Sequence, residues 1–274
     1  MFAYFKNEFS SSLKNLIIWS LAVGGMGLFC ILLYQSMEGS MEDIAESMAS
    51  MGAFSEAFGM STLSIATLKG YFSTEIGTIH SLGGALFAAS VATVVLSKEE
   101  DAHTAEYTFT LPLTRGKIIT AKLVNVLINL VVFNLICAVL YIVGFSVLGE
   151  NIFGGSGAPK DTGWFMEFLA FMLFQLMMSV EIAAFCLLIS AFSQKNKLGL
   201  GISVAMLLYA YDLIARVVPK LKDYIFVSPF SYCNATGILS GADTEIKTVV
   251  LAGICIVGFS TAGVIHYVRK DLVA

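Results

Sequence analysis

Six long apolar runs dominate the pattern of hydrophobic and polar positions along this chain of 274 residues. A helix needs roughly 20 apolar residues to cross a hydrocarbon core of about 30 Å, and these runs reach or exceed that length. The predicted spans cover residues 15–35, 76–97, 118–148, 164–192, 198–218 and 247–268. The third and fourth are longer than a perpendicular crossing requires, so we expect them to tilt or protrude. The pattern predicts an all-α polytopic membrane protein in which residues 1–274 form a single transmembrane domain.

Two segments outside the spans also carry helical patterns. Residues 1–14 place Phe2, Phe5 and Phe9 on one helical face, which predicts a short N-terminal helix lying in the membrane interface. Residues 37–75 place methionine, isoleucine and phenylalanine at helical spacing among acidic residues, which predicts an amphipathic helical loop. This outer loop is interpreted either as a cover over the mouth of a pathway or as a solvated hairpin without a transport role.

The connection between the fifth and sixth spans is too broken to cross a membrane. It contains the stretch SPFSY, in which we assign Ser228, Pro229, Phe230 and Tyr232 to an outer re-entrant segment. Aromatic side chains of this kind are favoured at headgroup depth. Irregular backbone survives at membrane depth only where it packs against protein. The segment therefore predicts short re-entrant helices before the last span.

Basic residues indicate the orientation, because cytoplasmic loops of membrane proteins are enriched in lysine and arginine. With the N-terminus inside, ten basic residues fall on inner segments: Lys6, Lys14, Lys98, Arg115, Lys117, Lys122, Lys195, Lys197, Arg269 and Lys270. Six fall on outer segments and span ends: Lys69, Lys160, Arg216, Lys220, Lys222 and Lys247. We therefore expect a multi-pass protein of the cell (plasma) membrane with both termini in the cytoplasm.

Composition agrees with a membrane protein and limits the kinds of binding site that we expect in this chain. Hydrophobic residues make up 57% of the chain and charged residues only 13%, whereas soluble domains carry about 25% charged residues. No basic patch accompanies the net charge of −4, so we expect no nucleic-acid partner. The five cysteines and three histidines are scattered, and their spacing predicts neither a disulfide framework nor a metal site.

The sequence also lacks the usual motifs of catalytic and nucleotide-binding sites. It contains no GxxxxGK[ST], GxGxxG, GxSxG or HExxH pattern. We therefore expect no catalytic residue and no cofactor bound by this chain.

A few polar side chains fall inside the predicted spans. An ionised Glu181 would cost roughly 2.5–3.5 kcal/mol at the bilayer centre, so it faces protein, water or a cation, or is protonated. It is interpreted either as a pathway residue or as an interhelical hydrogen-bond anchor. Asn125 and Asn129 can hydrogen-bond across spans. Asp212 and Arg216 lie four residues apart with the acid first, which predicts a local ion pair.

The polar segment from Ser97 to Lys122, here called the insert, stands between the second and third spans. Acidic residues begin it and basic residues end it, as suits a helix dipole. Tyr107 and Leu111 supply apolar contacts, and Pro112 stops the helix. A rigid helix held by spans at both ends can carry force between a soluble partner and the membrane part; the alternative is an ordinary surface loop.

The insert resembles the cytoplasmic loop of ATP-binding-cassette (ABC) exporter permeases of the type-2 class. That loop shows acidic residues, then Gly-Thr-x-Glu, Leu-Pro-[Val/Leu]-[Ser/Thr]-Arg and a later lysine. The matching positions are Glu99, Glu100, Thr104, Glu106, Leu111, Pro112, Leu113, Thr114, Arg115 and Lys122. His103 stands where the family has glycine, so the local backbone is expected to differ. SPFSY is similar to the Ser-Pro-Phe-x-Tyr of the family.

The resemblance implies a half-size transmembrane subunit that pairs with a second copy, as a homodimer or with a sister chain. It implies two cytoplasmic ABC ATPase subunits that carry ATP and Mg. The residues we assign to coupling with the ATPase are Glu99, Glu100, Thr104, Glu106, Tyr107, Leu111, Pro112 and Arg115. We expect export of a hydrophobic or amphipathic cargo, such as a peptide, antimicrobial, drug or lipid, out of the cytoplasm or inner leaflet.

Two other classes compete with this interpretation. One is a non-transport membrane immunity or signalling protein that sequesters a peptide. The other is an ion-driven secondary transporter, for which several paired intramembrane charges, beyond the one pair of Asp212 and Arg216, and an inverted repeat are expected. Neither feature is evident in the sequence.

Overall fold

The computed structural model describes residues 2–60, 62–104, 113–150, 152–153, 163–242 and 245–270. Over these ranges the chain is built of helices and turns, without a β-strand. Six helical segments are long and apolar enough to cross a membrane, which confirms the predicted all-α, six-span architecture.

The long segments lie close to the predicted positions. They are α1 (Phe2–Met37), α4 (Leu68–Tyr71) joined to α5 (Gly77–Val94), α7 (Arg115–Val147), α8 (Phe165–Phe192), α9 (Leu198–Val217) and α12 (Ile246–Arg269). The shorter helices are α2 (Met41–Ala49), α3 (Ala53–Ala57), α6 (Lys98–Asp101), α10 (Pro219–Lys222) and α11 (Ala235–Leu239).

The first helix differs from the prediction of a separate N-terminal helix. Residues 2–14 run into the first span without a break, because no glycine or proline interrupts the chain before Gly24. The hydroxyls of Ser11 and Ser12 bond to carbonyls one turn earlier instead of ending the helix. Phe5 and Phe9 stack at 6.2 Å on this segment. Its position in the membrane interface stays a prediction.

The second span begins at Leu68, before the predicted residue 76. Lys69 and Glu75 interrupt the apolar run in the sequence, so hydropathy does not indicate the first two turns of this span. The Thr67 hydroxyl caps α4 by accepting a hydrogen bond from Gly70 N at 3.1 Å. A π-helical turn, Phe72–Ile76, then joins α4 to α5.

The π-turn places Phe72 in the centre of an aromatic cluster. Its ring is fully buried. The partner rings lie at centroid distances from 5.3 to 5.9 Å and belong to Tyr141, Phe145, Trp164, Phe168 and Phe171. Edge-to-face contacts, as with Tyr141, Phe145 and Phe171, and tilted contacts at these distances stabilise the packing of α7 and α8 around the second span.

The second span is the centre of the bundle. In its most apolar window 72% of residues are buried, against 17% for α12. α1 packs along α7, α8 packs between α5 and α12, and α9 packs against α5. Close approach depends on small residues: a Cβ on Gly83 would collide with Val23 of α1, and one on Gly201 would collide with Thr93.

Successive spans alternate in direction, so the bundle has two ends. The insert end carries Glu8 of α1, residues 97–104, the start of α7, the α8–α9 turn and the end of α12. The opposite end carries α2, α3, α10 and α11. Residues 228–233 are mostly buried there against α8 and α9, as expected for irregular backbone packed on protein. Their depth in a bilayer stays a prediction.

Candidate functional site

The described part of the insert begins with the short helix α6. It ends in the hydrogen-bond pattern of a Schellman motif, in which Thr104 N donates to Glu99 O at 2.8 Å and His103 N donates to Glu100 O at 3.2 Å. His103 occupies the left-handed region, with φ of +53°. This position of the motif favours glycine. His103 therefore adopts a backbone conformation that usually favours glycine; a difference from the backbone of the family stays a prediction.

Three ion pairs fasten α6 to three other helices. Lys98 Nζ lies 2.5 Å from Glu8 Oε2 of α1. Lys122 Nζ of α7 lies 2.5 and 2.6 Å from the two carboxylate oxygens of Glu99. Lys270 Nζ, just after α12, lies 2.6 Å from Glu100 Oε2. Each of the three consecutive residues 98–100 therefore contacts a different element.

These pairs are largely withdrawn from solvent. The side chains of Glu8 and Glu100 are each only 4% exposed, and that of Lys122 is fully buried. Lys122 also donates to the carbonyl of Val95 at 2.6 Å. Buried charges persist where geometry and additional hydrogen bonds compensate for desolvation. The arrangement therefore fixes α6 rigidly on the bundle, unlike an exposed surface loop.

The start of α7 adds a further connection to α12. Arg115 Nη1 donates to the carbonyls of Val268 at 3.3 Å and Lys270 at 3.1 Å. A guanidinium at these carbonyls complements the negative end of the α12 dipole. The Thr114 hydroxyl caps α7 by accepting from Lys117 N at 3.4 Å. Of the residues assigned to coupling, Glu106, Tyr107, Leu111 and Pro112 lie outside the described residues.

Asn125 and Asn129 lie further along α7, about one and two turns beyond Lys122. Asn129 Nδ2 donates to Ser12 Oγ of α1 at 3.0 Å and to the Asn125 carbonyl at 2.8 Å. Ser12 Oγ also lies 3.4 Å from Asn125 Oδ1. The two asparagines thus lie at the α1–α7 contact, where amide groups hold helices together.

Glu181 lies apart from the insert and contacts the SPFSY stretch. Tyr232 Oη donates to Glu181 Oε2 at 2.7 Å, and both side chains are buried. Burial, reinforced by the Glu181 carboxylate, raises the pKa of Tyr232 well above its usual range. The phenol is therefore a proton donor at ordinary pH. This contact has the geometry of the hydrogen-bond anchor, one of the two interpretations of Glu181; a role in a pathway stays a prediction.

The rest of the SPFSY stretch is also held by α9. Ser228 Oγ donates to the carbonyl of Leu208 at 3.3 Å, and Phe230 packs edge-on against Tyr209 at 5.2 Å. Pro229 is buried as well. The stretch therefore bridges α8, through Tyr232, and α9, through Ser228 and Phe230.

The predicted pair of Asp212 and Arg216 is confirmed. Arg216 Nη2 lies 2.6 Å from Asp212 Oδ2, and Nε lies 2.8 Å from the same oxygen. The pair lies beside Ser73, Thr78 and Asn234 around a cavity of about 40 Å³ at the opposite end of the bundle.

Several polar contacts escaped the sequence analysis. His80 bonds to Tyr141 Oη through Nδ1 at 3.0 Å and to Asn134 Oδ1 through Nε2 at 3.1 Å. Since Asn134 Nδ2 donates to Met172 O, its Oδ1 is the acceptor and the histidine proton belongs on Nε2. The contact of Glu8 with Lys98 was not predicted, because an isolated acidic residue in an aromatic-rich helix does not indicate which distant lysine it pairs with.

Gln175 is a further buried polar side chain within α8. Its Nε2 donates to Ser81 Oγ of α5 at 2.7 Å and to the carbonyl of Cys233 at 3.0 Å. It therefore joins α8, α5 and the segment after SPFSY at one point.

The fold and the ion-paired insert define a multi-pass α-helical membrane protein whose polar loop is attached to several span ends. A family model described as ABC-2 family transporter protein matches residues 2–272. The chain therefore belongs to the ABC-2 transporter family, and it is a membrane permease component of an ABC transporter that associates with an ABC ATPase. Among curated proteins no match is found.

Proposed function

We propose that this chain is the permease subunit of an ATP-driven exporter whose ATPase is a separate polypeptide. The lack of a phosphate-binding motif in the sequence supports that separation. In the proposed assembly two permease copies, as a homodimer, associate with two cytoplasmic ATPase subunits that bind ATP and Mg. Both termini and the insert face the cytoplasm of the cell membrane.

The observation that carries this proposal is the attachment of residues 98–100 to three different helices. α6 follows α5 directly and is ion-paired to α1, α7 and the end of α12. A push on α6 by the ATPase would therefore reach the ends of four spans together. Rigid elements in contact are what transmits such a displacement through a protein.

The cargo proposal rests on the apolar outer surface of the bundle. Large hydrophobic side chains of α9, including Met206, Leu207 and Ile214, are more than half exposed. A cargo moving along α9 and the second span between two permease copies would meet hydrocarbon-like side chains. This favours a hydrophobic or amphipathic molecule, such as a peptide, antimicrobial, drug or lipid, moved out of the cytoplasm or inner leaflet.

The pair of Glu100 and Lys270 provides the test. The permease is reconstituted with its ATPase in vesicles, and ATP hydrolysis is compared with and without permease. We expect Glu100→Lys and Lys270→Glu each to lose most of the permease-dependent hydrolysis, because each places two like charges together. The double exchange should recover a large part of it.

A matched control is the exposed pair of Glu56 and Lys222 at the opposite end, which are 3.6 Å apart. Exchange of these two charges should leave hydrolysis unchanged. Full permease-dependent hydrolysis in the Glu100→Lys variant, with its insertion and thermal stability intact, would contradict the coupling role. A chain that only sequesters a peptide would bind it without stimulating hydrolysis by any ATPase.

A further inference from the structure

A surface groove at the insert end lies between the end of α8 and the start of α9. Its volume is about 410 Å³, and it is lined by Leu188, Ile189, Phe192, Ser193, Lys197 and Leu200. Four of the six lining side chains are hydrophobic. Phe192 is 62% exposed, and its other face stacks on His266 of α12 at 3.8 Å. The groove is therefore an apolar surface whose wall is held in place by packing.

Two lysines mark the polar rim of this groove. Lys197 lines it directly, and Lys195 is exposed in the same turn. Within the part of the chain that the structure describes, neither lysine is ion-paired to a carboxylate. The nearby Lys270 is already engaged by Glu100 and by the Ser193 carbonyl. The rim thus carries two positive charges without an internal counterion.

Side-chain hydrogen bonds fix the turn that presents these lysines. Ser193 Oγ donates to the Lys195 carbonyl at 2.7 Å, and Asn196 Oδ1 accepts from Leu198 N at 2.9 Å. The turn is short, because α8 ends at Phe192 and α9 begins at Leu198. The end of α8 and the start of α9 therefore lie close together, and the lysines lie in the short turn between these two span ends.

We propose that this groove binds an anionic phospholipid of the leaflet that it faces. The phosphate contacts Lys195 and Lys197, and one acyl chain lies along Leu188, Ile189 and Leu200. Charge complementarity selects an anionic headgroup, and the apolar lining, which opens laterally to the bilayer, selects a molecule with a hydrocarbon chain. Basic pockets beside transmembrane helices hold anionic lipids by the same combination.

The full chain, purified in mild detergent, allows a direct test. Native mass spectrometry would follow retention of phosphatidylglycerol and of phosphatidylcholine with matched acyl chains. We expect retention of the anionic lipid and little of the zwitterionic one. Lys195→Gln and Lys197→Gln should each weaken retention about fivefold, the effect of ~1 kcal/mol for a cation near an anionic membrane surface. Leu200→Asn should weaken it as well, without changing the charge.

Lys222→Gln is the matched control, since it removes an exposed lysine at the opposite end, and it should retain the lipid normally. Glycerol 3-phosphate, which has the anionic headgroup without acyl chains, should not compete. Effective competition by it would overturn the lipid assignment in favour of a soluble phosphate compound. Undiminished lipid in the Lys195→Gln/Lys197→Gln variant would overturn the site. Loss of the lipid when the ATPase or a second permease copy binds would show that a protein covers the groove instead.

Discussion

Lys122 Nζ lies within 2.6 Å of both carboxylate oxygens of Glu99, although 23 residues separate them in the chain. The ammonium group is fully buried and bonds in addition to the Val95 carbonyl. The pair closes the insert on itself, because Glu99 lies near its beginning and Lys122 at its end. The proposed force-bearing loop is therefore a closed, ion-paired unit that is anchored on α7.

Breaking this pair should destabilise the protein strongly. Glu99→Gln leaves the Lys122 charge buried without its counterion, and Lys122→Met leaves the carboxylate alone; each should lower the free energy of unfolding by ~3–5 kcal/mol. The double variant should recover much of that loss, since an apolar side chain replaces the buried charge. Equilibrium unfolding in mixed detergent micelles measures all three values.

The exposed pair of Glu56 and Lys222 is the control for these changes in the free energy of unfolding. Glu56→Gln should change the free energy of unfolding by less than ~1 kcal/mol, as for exposed ion pairs generally. Additive effects of Glu99→Gln and Lys122→Met would show that the two groups do not interact, contrary to the geometry.

His103 should be replaceable by glycine with a gain in stability. At φ of +53° its Cβ crowds the backbone, and the left-handed conformation costs a non-glycine residue roughly 1–2 kcal/mol. Glycine removes this cost but adds entropy to the unfolded chain, so a net gain of ~1 kcal/mol is expected for His103→Gly. Ala102→Gly, at φ of −84°, serves as the control and should not stabilise. Loss of stability in His103→Gly would mean that the imidazole makes a favourable contact that outweighs backbone strain.

The spans were predictable to within a few residues at most ends, because crossing a bilayer is a direct constraint on the length of an apolar run. The start of the second span was not predictable, because Lys69 and Glu75 are charged residues typical of loops. Only the structure shows that Phe72, which lies between them in the chain, packs inside an aromatic cluster. Hydropathy also carries no signal for a π-helical turn. Local composition therefore determines where helices cross, while tertiary packing determines how they begin.

The partners of the polar residues were harder to predict than the residues themselves. Glu181 was selected for the cost of its charge in lipid, and Tyr232 for its place in SPFSY, but nothing in the sequence joined them. The pair of Lys98 and Glu8 spans 90 residues and rests on the packing of α1 against the rest of the bundle. By contrast, Asp212 and Arg216 were predictable because the helix itself brings residues four apart together.

The contact between Tyr232 and Glu181 distinguishes an anchor from a pathway residue. Tyr232→Phe leaves a buried carboxylate oxygen without its donor and should lower the free energy of unfolding by ~1–3 kcal/mol. If Glu181 is an anchor, Glu181→Gln should keep export activity and change stability less, because the amide oxygen still accepts from the phenol. Export lost in Glu181→Gln at unchanged stability would contradict the anchor interpretation.

The same contact has a defined pH dependence. The pKa of Tyr232 is raised in the folded protein, so the unfolded chain loses this proton first as pH rises. The stabilisation by the phenol is complete below its ordinary pKa of about 10 and declines above it. The difference in the free energy of unfolding between wild type and Tyr232→Phe should therefore be constant from pH 7 to 9. The difference should then shrink above pH ~10, where the phenol of the unfolded chain ionises first. A difference that stays constant there would show that the pKa of Tyr232 is the same in the folded and the unfolded chain.

The topology can be tested by labelling single introduced cysteines in intact cells. Lys6 and Lys220 are both exposed, and they lie towards the insert end and the opposite end. If both termini are cytoplasmic, Lys220→Cys should react with a membrane-impermeant maleimide before lysis, and Lys6→Cys only after it. The parent chain sets the background, since its five cysteines are buried or partly buried. Labelling of Lys6→Cys in intact cells would reverse the orientation, and the insert would then face away from any cytoplasmic ATPase.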